Sequence, residues 1–159
     1  MDRKEYNKTL AEVNDWLSNQ PQVSFSGARL VASGIMLEPM SILTMLEEYG
    51  IFIVADDLAQ ESRQFRVPAG CSSESSIYRR MAKRYTGQSG DPLIYDAARR
   101  REDHLIDLVN RYQADGVLLA MMKFCDPEEF DYPIMKNRLE EAGIPMLYLE
   151  TELSGPSVE

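Results

Sequence analysis

Four short stretches of this chain combine side chains capable of chemistry: Ser33-Gly34, Asp56-Asp57, Lys123-Phe124-Cys125-Asp126 and Glu150. Cys125 has the most distinctive setting. It follows an apolar run and stands directly before Asp126-Pro127, an N-cap followed by proline at the first helical position. The unpaired N–H groups and positive end of that helix favour a thiolate, the form that ligates metal or attacks an electrophile. Lys123, two residues earlier, adds positive charge. The alternative reading of Cys125 is an inert buried thiol. Asp56, Asp57, Asp126 and Glu150 could gather Mg²⁺ as in phosphoacceptor domains. In that class, however, the acidic pair follows the first strand, and here it follows the second.

The elements that must position these residues alternate. Tyr6, Leu10, Val13 and Leu17 recur on one face of an opening helix. Leu30–Ile35 reads as a buried strand. A helix then starts with Pro39 at its first position, carries Ile42, Met45, Leu46 and Tyr49 as its buried stripe, and stops at Gly50. Ile51–Ala55 is a strand ending at Asp56-Asp57. Residues 58–90 are irregular, with serines at 72, 73, 75 and 76 and a short helix near Ile77–Tyr85. Asp91-Pro92 predicts the start of a long helix whose stripe is Leu105, Leu108, Val109 and Tyr112. Gly116–Met122 is a third strand. Asp126-Pro127-Glu128-Glu129 opens a helix with a glutamate in the capping-box position. Ile144–Leu149 is a fourth strand, ending at Glu150.

Near-continuous apolar strands alternating with amphipathic helices predict an α/β fold. With right-handed crossovers it becomes a doubly wound, flavodoxin-like parallel sheet of about four strands, helices on both faces. Ligands in such sheets bind outside the carboxyl ends of the strands, where all four stretches fall. The simplest account of any one of them is a cap or turn. Residues 1–24 are expected to form an N-terminal helix and 25–159 the flavodoxin-like domain.

Composition narrows the functions further. The 159 residues carry 17 Lys and Arg against 26 Asp and Glu, a net charge of −9 that disfavours nucleic acid as a partner. Arg99-Arg100-Arg101 is a basic run with acids close by, read as a solvated helix face. His104 reads likewise as a solvated helix residue. No apolar run approaches the roughly 20 residues of a membrane span, and no apolar leader is present, so no membrane partner is expected and the location is cytoplasmic. The two cysteines match no zinc spacing, and Cys71 has no metal-spaced partner. Dinucleotide, P-loop and nucleophile-elbow motifs are missing, as is a flavodoxin-type phosphate loop.

Several strings together resemble a known family. They are Ile53–Leu58 followed by Arg63 and Arg66, Ala82-Arg84-Tyr85, Asp115–Leu118 running on to Lys123-Phe124-Cys125-Asp126-Pro127, and Gly143–Glu150. Over about residues 25–152 the chain resembles the C-terminal domain of 2-hydroxyacyl-CoA dehydratase and benzoyl-CoA reductase subunits. The resemblance implies a [4Fe–4S] cluster in the complete subunit, with Cys125 as a ligand. It also implies an N-terminal domain of the same subunit, a second homologous subunit, an ATP-dependent activator protein and an acyl-CoA substrate. Such enzymes pass a single electron to the thioester, for ketyl-radical dehydration or for reduction of an aromatic ring. One thiolate cannot hold a cubane, and Ala59 stands where some members carry a further cysteine. The expectation is a fragment of a larger subunit, inactive alone and without a stably bound cluster. On the same resemblance Lys123 either orients the cluster or an anionic substrate, or caps its loop. Asp56 and Asp57 either meet the missing domain through Arg63 and Arg66, or end their strand, and Ser33 stands at the same edge as loop support. The alternative function is a non-catalytic flavodoxin-like binding or subunit-interaction domain.

Overall fold

The apolar runs form the predicted sheet. The structure is a computed structural model describing residues 2–21, 26–68, 76–94, 96, 98 and 100–152. Helix α1 (Arg3–Ser18) precedes strand β1 (Ala28–Gly34), helix α2 (Ser41–Glu48) and strand β2 (Ile51–Leu58). A 3₁₀ turn (Ser62–Phe65) and helices α3 (Ile77–Thr86) and α4 (Arg101–Tyr112) lead to strand β3 (Gly116–Met122). Helix α5 (Asp126–Glu141) and strand β4 (Met146–Thr151) follow. The strands are all parallel in the order β2-β1-β3-β4. The order reverses between β1 and β3, and their carboxyl ends flank the crevice where doubly wound sheets usually take ligands.

Side-chain alternation divides the core between the two faces. Val31, Val117, Leu119 and Met121 pack under α4 and α5 against Leu105, Leu108, Val109, Met135 and Leu139. Ala32, Leu118 and Ala120 point the other way, toward Leu37, Leu46 and Leu58. Ser33 shares the face of Val31, so it looks toward α4 and α5.

Several boundaries differ from the sequence reading, β1 among them, which starts at Ala28 and ends at Gly34. Strand β2 does not stop at Ala55 but runs on through Asp56 and Asp57, which pair with Ala32 and Ser33 of β1. Strand β4 lies two residues later than predicted. Helix α2 begins after Pro39 and buries Leu46, with Ile42 and Leu43 half-buried, while Met45 and Tyr49 face solvent. Asp91-Pro92 does not start α4: the Asp91 carboxylate accepts from the Leu93 N–H at 2.9 Å, folding a turn instead. Asp96 then accepts from the Gly90, Ala98 and Arg100 N–H groups, and the helix begins at Arg101.

Helix α1 carries the expected amphipathic stripe, yet buries none of its residues. Tyr6, Leu10, Val13 and Leu17 are exposed. Periodicity marks an apolar face without supplying what covers it.

Candidate functional site

At the crevice between β1 and β3, the sheet edge is filled by buried charges. Asp57 is 0% exposed and Arg63, delivered by the 3₁₀ turn, is 2% exposed. Arg63 Nη2 donates to the Asp57 carboxylate at 3.1 Å, to the Asp57 carbonyl at 2.7 Å and to the Gly34 carbonyl at 3.2 Å. Arg66 donates to the other Asp57 carboxylate oxygen. Ser33 Oγ donates to Asp57 at 3.2 Å and accepts from Arg101 Nη2 at 3.1 Å. The same Arg101 nitrogen donates to Glu128 Oε2 at 2.6 Å, and Nη1 reaches Asp131 at 3.4 Å. Arg63 Nη1 lies 3.6 Å from both Glu128 and Asp91.

Each charge is thus neutralised by groups from other elements, the condition under which buried ions are tolerated. Burial foremost, and then the charge of Arg101, lowers the pKa of Arg63, while Glu128 and Asp91 oppose the shift. The cluster ties β1, β2, the 3₁₀ turn, α4 and α5 into one unit. It occupies the crevice itself, so it is a brace for the strand-end loops.

Two sequence readings are corrected here. Arg101 is not on a solvated face, since only 2% of it is exposed. The second is the N-cap of α5: Cys125, not Asp126, occupies that position. Just inside that helix Glu128 is fully buried and serves as counter-ion to Arg101 and Arg63. Sequence reasoning missed Arg101 as a partner of Ser33 and Asp57, and Glu128 as the counter-ion of Arg101 and Arg63, although a signal was present. Arg101 is spaced i, i+4, i+7 with Leu105 and Leu108, and Glu128 is spaced likewise with Tyr132 and Met135, which places charges on buried stripes.

The acidic pair separates, as successive strand residues must. Asp57 enters the ionic cluster. Asp56 accepts from the Leu58 and Ser62 N–H groups at 3.2 and 3.0 Å and shapes the turn that brings Arg63 back to the sheet. Both therefore have partners within this chain.

Beside the brace, the loop after β3 carries Cys125 half-buried, its N–H donating to the Met122 carbonyl at 3.1 Å. Phe124 before it has φ of 64° and is 91% exposed. Asp126, Glu128 and Glu129 share the positive end of α5 with the thiol. Lys123 turns to β4, pairing with Glu152 and, at 3.5 Å, with Glu150. The hydrogen bond to Glu152 raises its pKa first, with Glu150 adding to the shift. Ser33, Asp57 and the first turn of α5 are thus brought together, while Lys123 and Glu150 form a separate exposed pair. Cys71 lies outside the described residues.

His104 on α4 is half-buried rather than solvated. Burial first and the Arg66 charge second push its pKa from 6.5 down to about 4, while Asp107 pulls the other way and Arg111 and Arg63 add to the fall. Below the ordinary value the unfolded chain takes up a proton that the folded chain refuses. The contribution of His104 is therefore present above about pH 6.5 and lost as pH falls toward about 4. We expect His104→Gln to flatten the acid loss of stability in that window. Urea midpoints at both ends of the window check it, and an unchanged pH slope would sink the assignment.

Comparison with known proteins finds one family and several relatives. The family described as 2-hydroxyglutaryl-CoA dehydratase, D-component, matches residues 1–159. The chain is 35% identical over its full length to the (R)-phenyllactyl-CoA dehydratase beta subunit of Clostridium sporogenes, covering 42% of that protein. It is 42% identical over 87% of its length to lactoyl-CoA dehydratase subunit beta of Anaerotignum propionicum, covering 37%. Over 90% of its length it is 36% identical to the (R)-2-hydroxyglutaryl-CoA dehydratase beta subunit of Acidaminococcus fermentans, covering 38%. The chain thus spans only about two fifths of the length of these curated relatives.

Proposed function

The chain belongs to the 2-hydroxyglutaryl-CoA dehydratase D-component family, and from that premise we propose that it forms one domain of a larger acyl-CoA dehydratase or ring-reductase subunit. The observation that carries the reading is the place of Cys125. It lies in the Lys-Phe-Cys-Asp-Pro string, at the N-cap of α5 and beside the brace at the switch point. Arg101 and Arg63 hold Glu128, one turn further along the same helix, and so fix where the thiol is presented.

A [4Fe–4S] cluster requires several thiolates. Among the described residues Cys125 is the cysteine at hand, and no group of three or more His, Cys, Asp or Glu could hold a metal. This donor set does not fit a complete cluster. In our reading the chain contributes one ligand, and a domain of the same subunit outside it supplies the others. Transfer of a single electron to the acyl-CoA thioester is then a property of the whole enzyme, with a second homologous subunit and an ATP-dependent activator as partners.

Anaerobic reconstitution with iron and sulfide tests this. The 159-residue chain is expected to retain no stoichiometric cluster, whereas the complete subunit acquires one that Cys125→Ala abolishes. Four irons per isolated chain, or a full cluster in the Cys125→Ala subunit, would overturn the assignment. A complete subunit that holds no iron at all would favour the non-catalytic binding domain instead.

A further inference from the structure

Helix α1 has little of its own to hold it. Glu5 in the first turn suits the helix dipole, but the N-cap residue Asp2 makes no side-chain hydrogen bond and no basic residue stands in the last turn. Thr9, Ser18, Asn19 and Gln20 donate only to carbonyls of the same helix, at Glu5, Asn14, Asp15 and Trp16. The exposed Lys8–Glu12 pair at 3.7 Å adds little. A helix of 16 residues is marginal in water alone, and helices in proteins draw most of their stability from packing an apolar face. Yet α1 buries none of its residues.

The apolar face is present and open. Tyr6, Leu10, Val13 and Leu17 form its stripe and Trp16 widens it on one side, with exposures from 46% at Val13 to 61% at Trp16. At about 100° per residue, Lys4, Glu5, Lys8, Glu12 and Asp15 fall on the opposite side of the helix. Apart from Arg3 at the helix start, the residues bordering the stripe are neutral, Thr9 and Asn14 among them. A helix that lies on a membrane carries Lys and Arg along its polar face, whereas here acids match the bases in number and the whole chain is at −9, which anionic lipid repels. The stripe is built to meet an uncharged apolar protein surface.

We infer that the stripe is covered by the part of the complete subunit that lies outside these residues, so that α1 is an interdomain docking helix. The family match spans residues 1–159 and therefore includes α1. The Clostridium sporogenes beta subunit aligns over all 159 residues, which account for 42% of it. The larger share of such a subunit thus lies beyond the aligned residues, available to pack on α1. Being tethered to the same chain, it has a high effective concentration against which a second copy must compete. The inference rests on the larger-subunit reading above, and it adds where the rest of that subunit meets this chain.

Amide hydrogen exchange of α1, read by mass spectrometry in the complete subunit and in the 159-residue chain, tests it. The α1 amides are expected to exchange at least about a hundredfold more slowly in the complete subunit. Leu10→Glu should abolish that difference and lower the thermal midpoint of the complete subunit, while leaving the midpoint of the 159-residue chain unchanged. Asp15→Asn, on the opposite side of the helix, should do neither. Equal exchange in the two proteins would overturn the inference. So would protection of α1 in the 159-residue chain that rises with its concentration, which means a second copy, or that appears only with phosphatidylglycerol vesicles, which means a membrane. A native polypeptide no longer than 159 residues would remove the occupant and end the larger-subunit reading with it. Unprotected α1 in a complete subunit that still binds iron through Cys125 would sink this inference alone.

Discussion

Replacing Arg101 with methionine is expected to lower the unfolding free energy by about 3–5 kcal/mol, the usual effect of removing one partner of a buried ion pair. Its guanidinium contacts Glu128 at 2.6 Å, Ser33 at 3.1 Å and Asp57 at 3.6 Å, from a position that is 2% exposed. Methionine fills much of the volume but leaves the Glu128 carboxylate facing only Arg63, at 3.6 Å. That loss is a large fraction of the roughly 5–15 kcal/mol that holds a typical domain folded. Glu128→Leu should destabilise in the same direction but by less, because Arg101 then keeps only the longer carboxylate contacts, to Asp57 at 3.6 Å and Asp131 at 3.4 Å. The double variant Arg101→Met/Glu128→Leu removes both charges together and should recover part of the sum. Urea unfolding with an unchanged denaturant slope provides the comparison. Additivity of the two single effects within about 0.5 kcal/mol would mean that the pair does not couple, and the brace would then have to be abandoned.

The reason such residues escape a reading from sequence is visible in this cluster. Strands β1 and β3 were legible because apolar runs bounded by glycine and polar residues have few other uses in a soluble chain. Helix α5 was legible from Asp126-Pro127, to within one residue of its N-cap. Asp57, Arg101 and Glu128 look like surface residues by type. The burial of Arg101 and Glu128 depends on distant partners, 68 positions apart for Ser33 with Arg101 and 27 for Arg101 with Glu128. Asp57 adds Arg63 and Arg66 from 6 and 9 positions on. Hydropathy therefore ended β2 at Ala55, although Arg63 and Arg66 allow the strand to carry Asp57 inside the fold. Cys125 was placed at the right edge by its strand-to-helix setting. The partners of Lys123 were not visible, because Glu150 and Glu152 become its neighbours only once β4 lies beside β3.

Gly34 supplies the second large effect, because it joins the sheet to the brace. It pairs with Ala120 of β3 and has φ of +146°, a conformation that side chains other than glycine rarely adopt. A Cβ added there would lie 2.2 Å from the Ala120 carbonyl oxygen. That oxygen is backbone in a central strand whose two faces are both packed, so β3 has little freedom to retreat. Any shift of Gly34 also moves its own carbonyl, which accepts from Arg63 Nη2 at 3.2 Å and from the Ala59 N–H at 3.1 Å. We expect Gly34→Ala to cost about 3–5 kcal/mol, combining overpacking and backbone strain. Gly50→Ala is the matched control: φ there is +70° and no atom stands within 4 Å of the added Cβ. It should cost only the left-handed penalty of about 1–2 kcal/mol. Thermal and urea unfolding of the two variants separate the contributions. If Gly34→Ala is no worse than Gly50→Ala, then β1 and β3 can part at the switch point without loss, and the brace does not depend on their close approach.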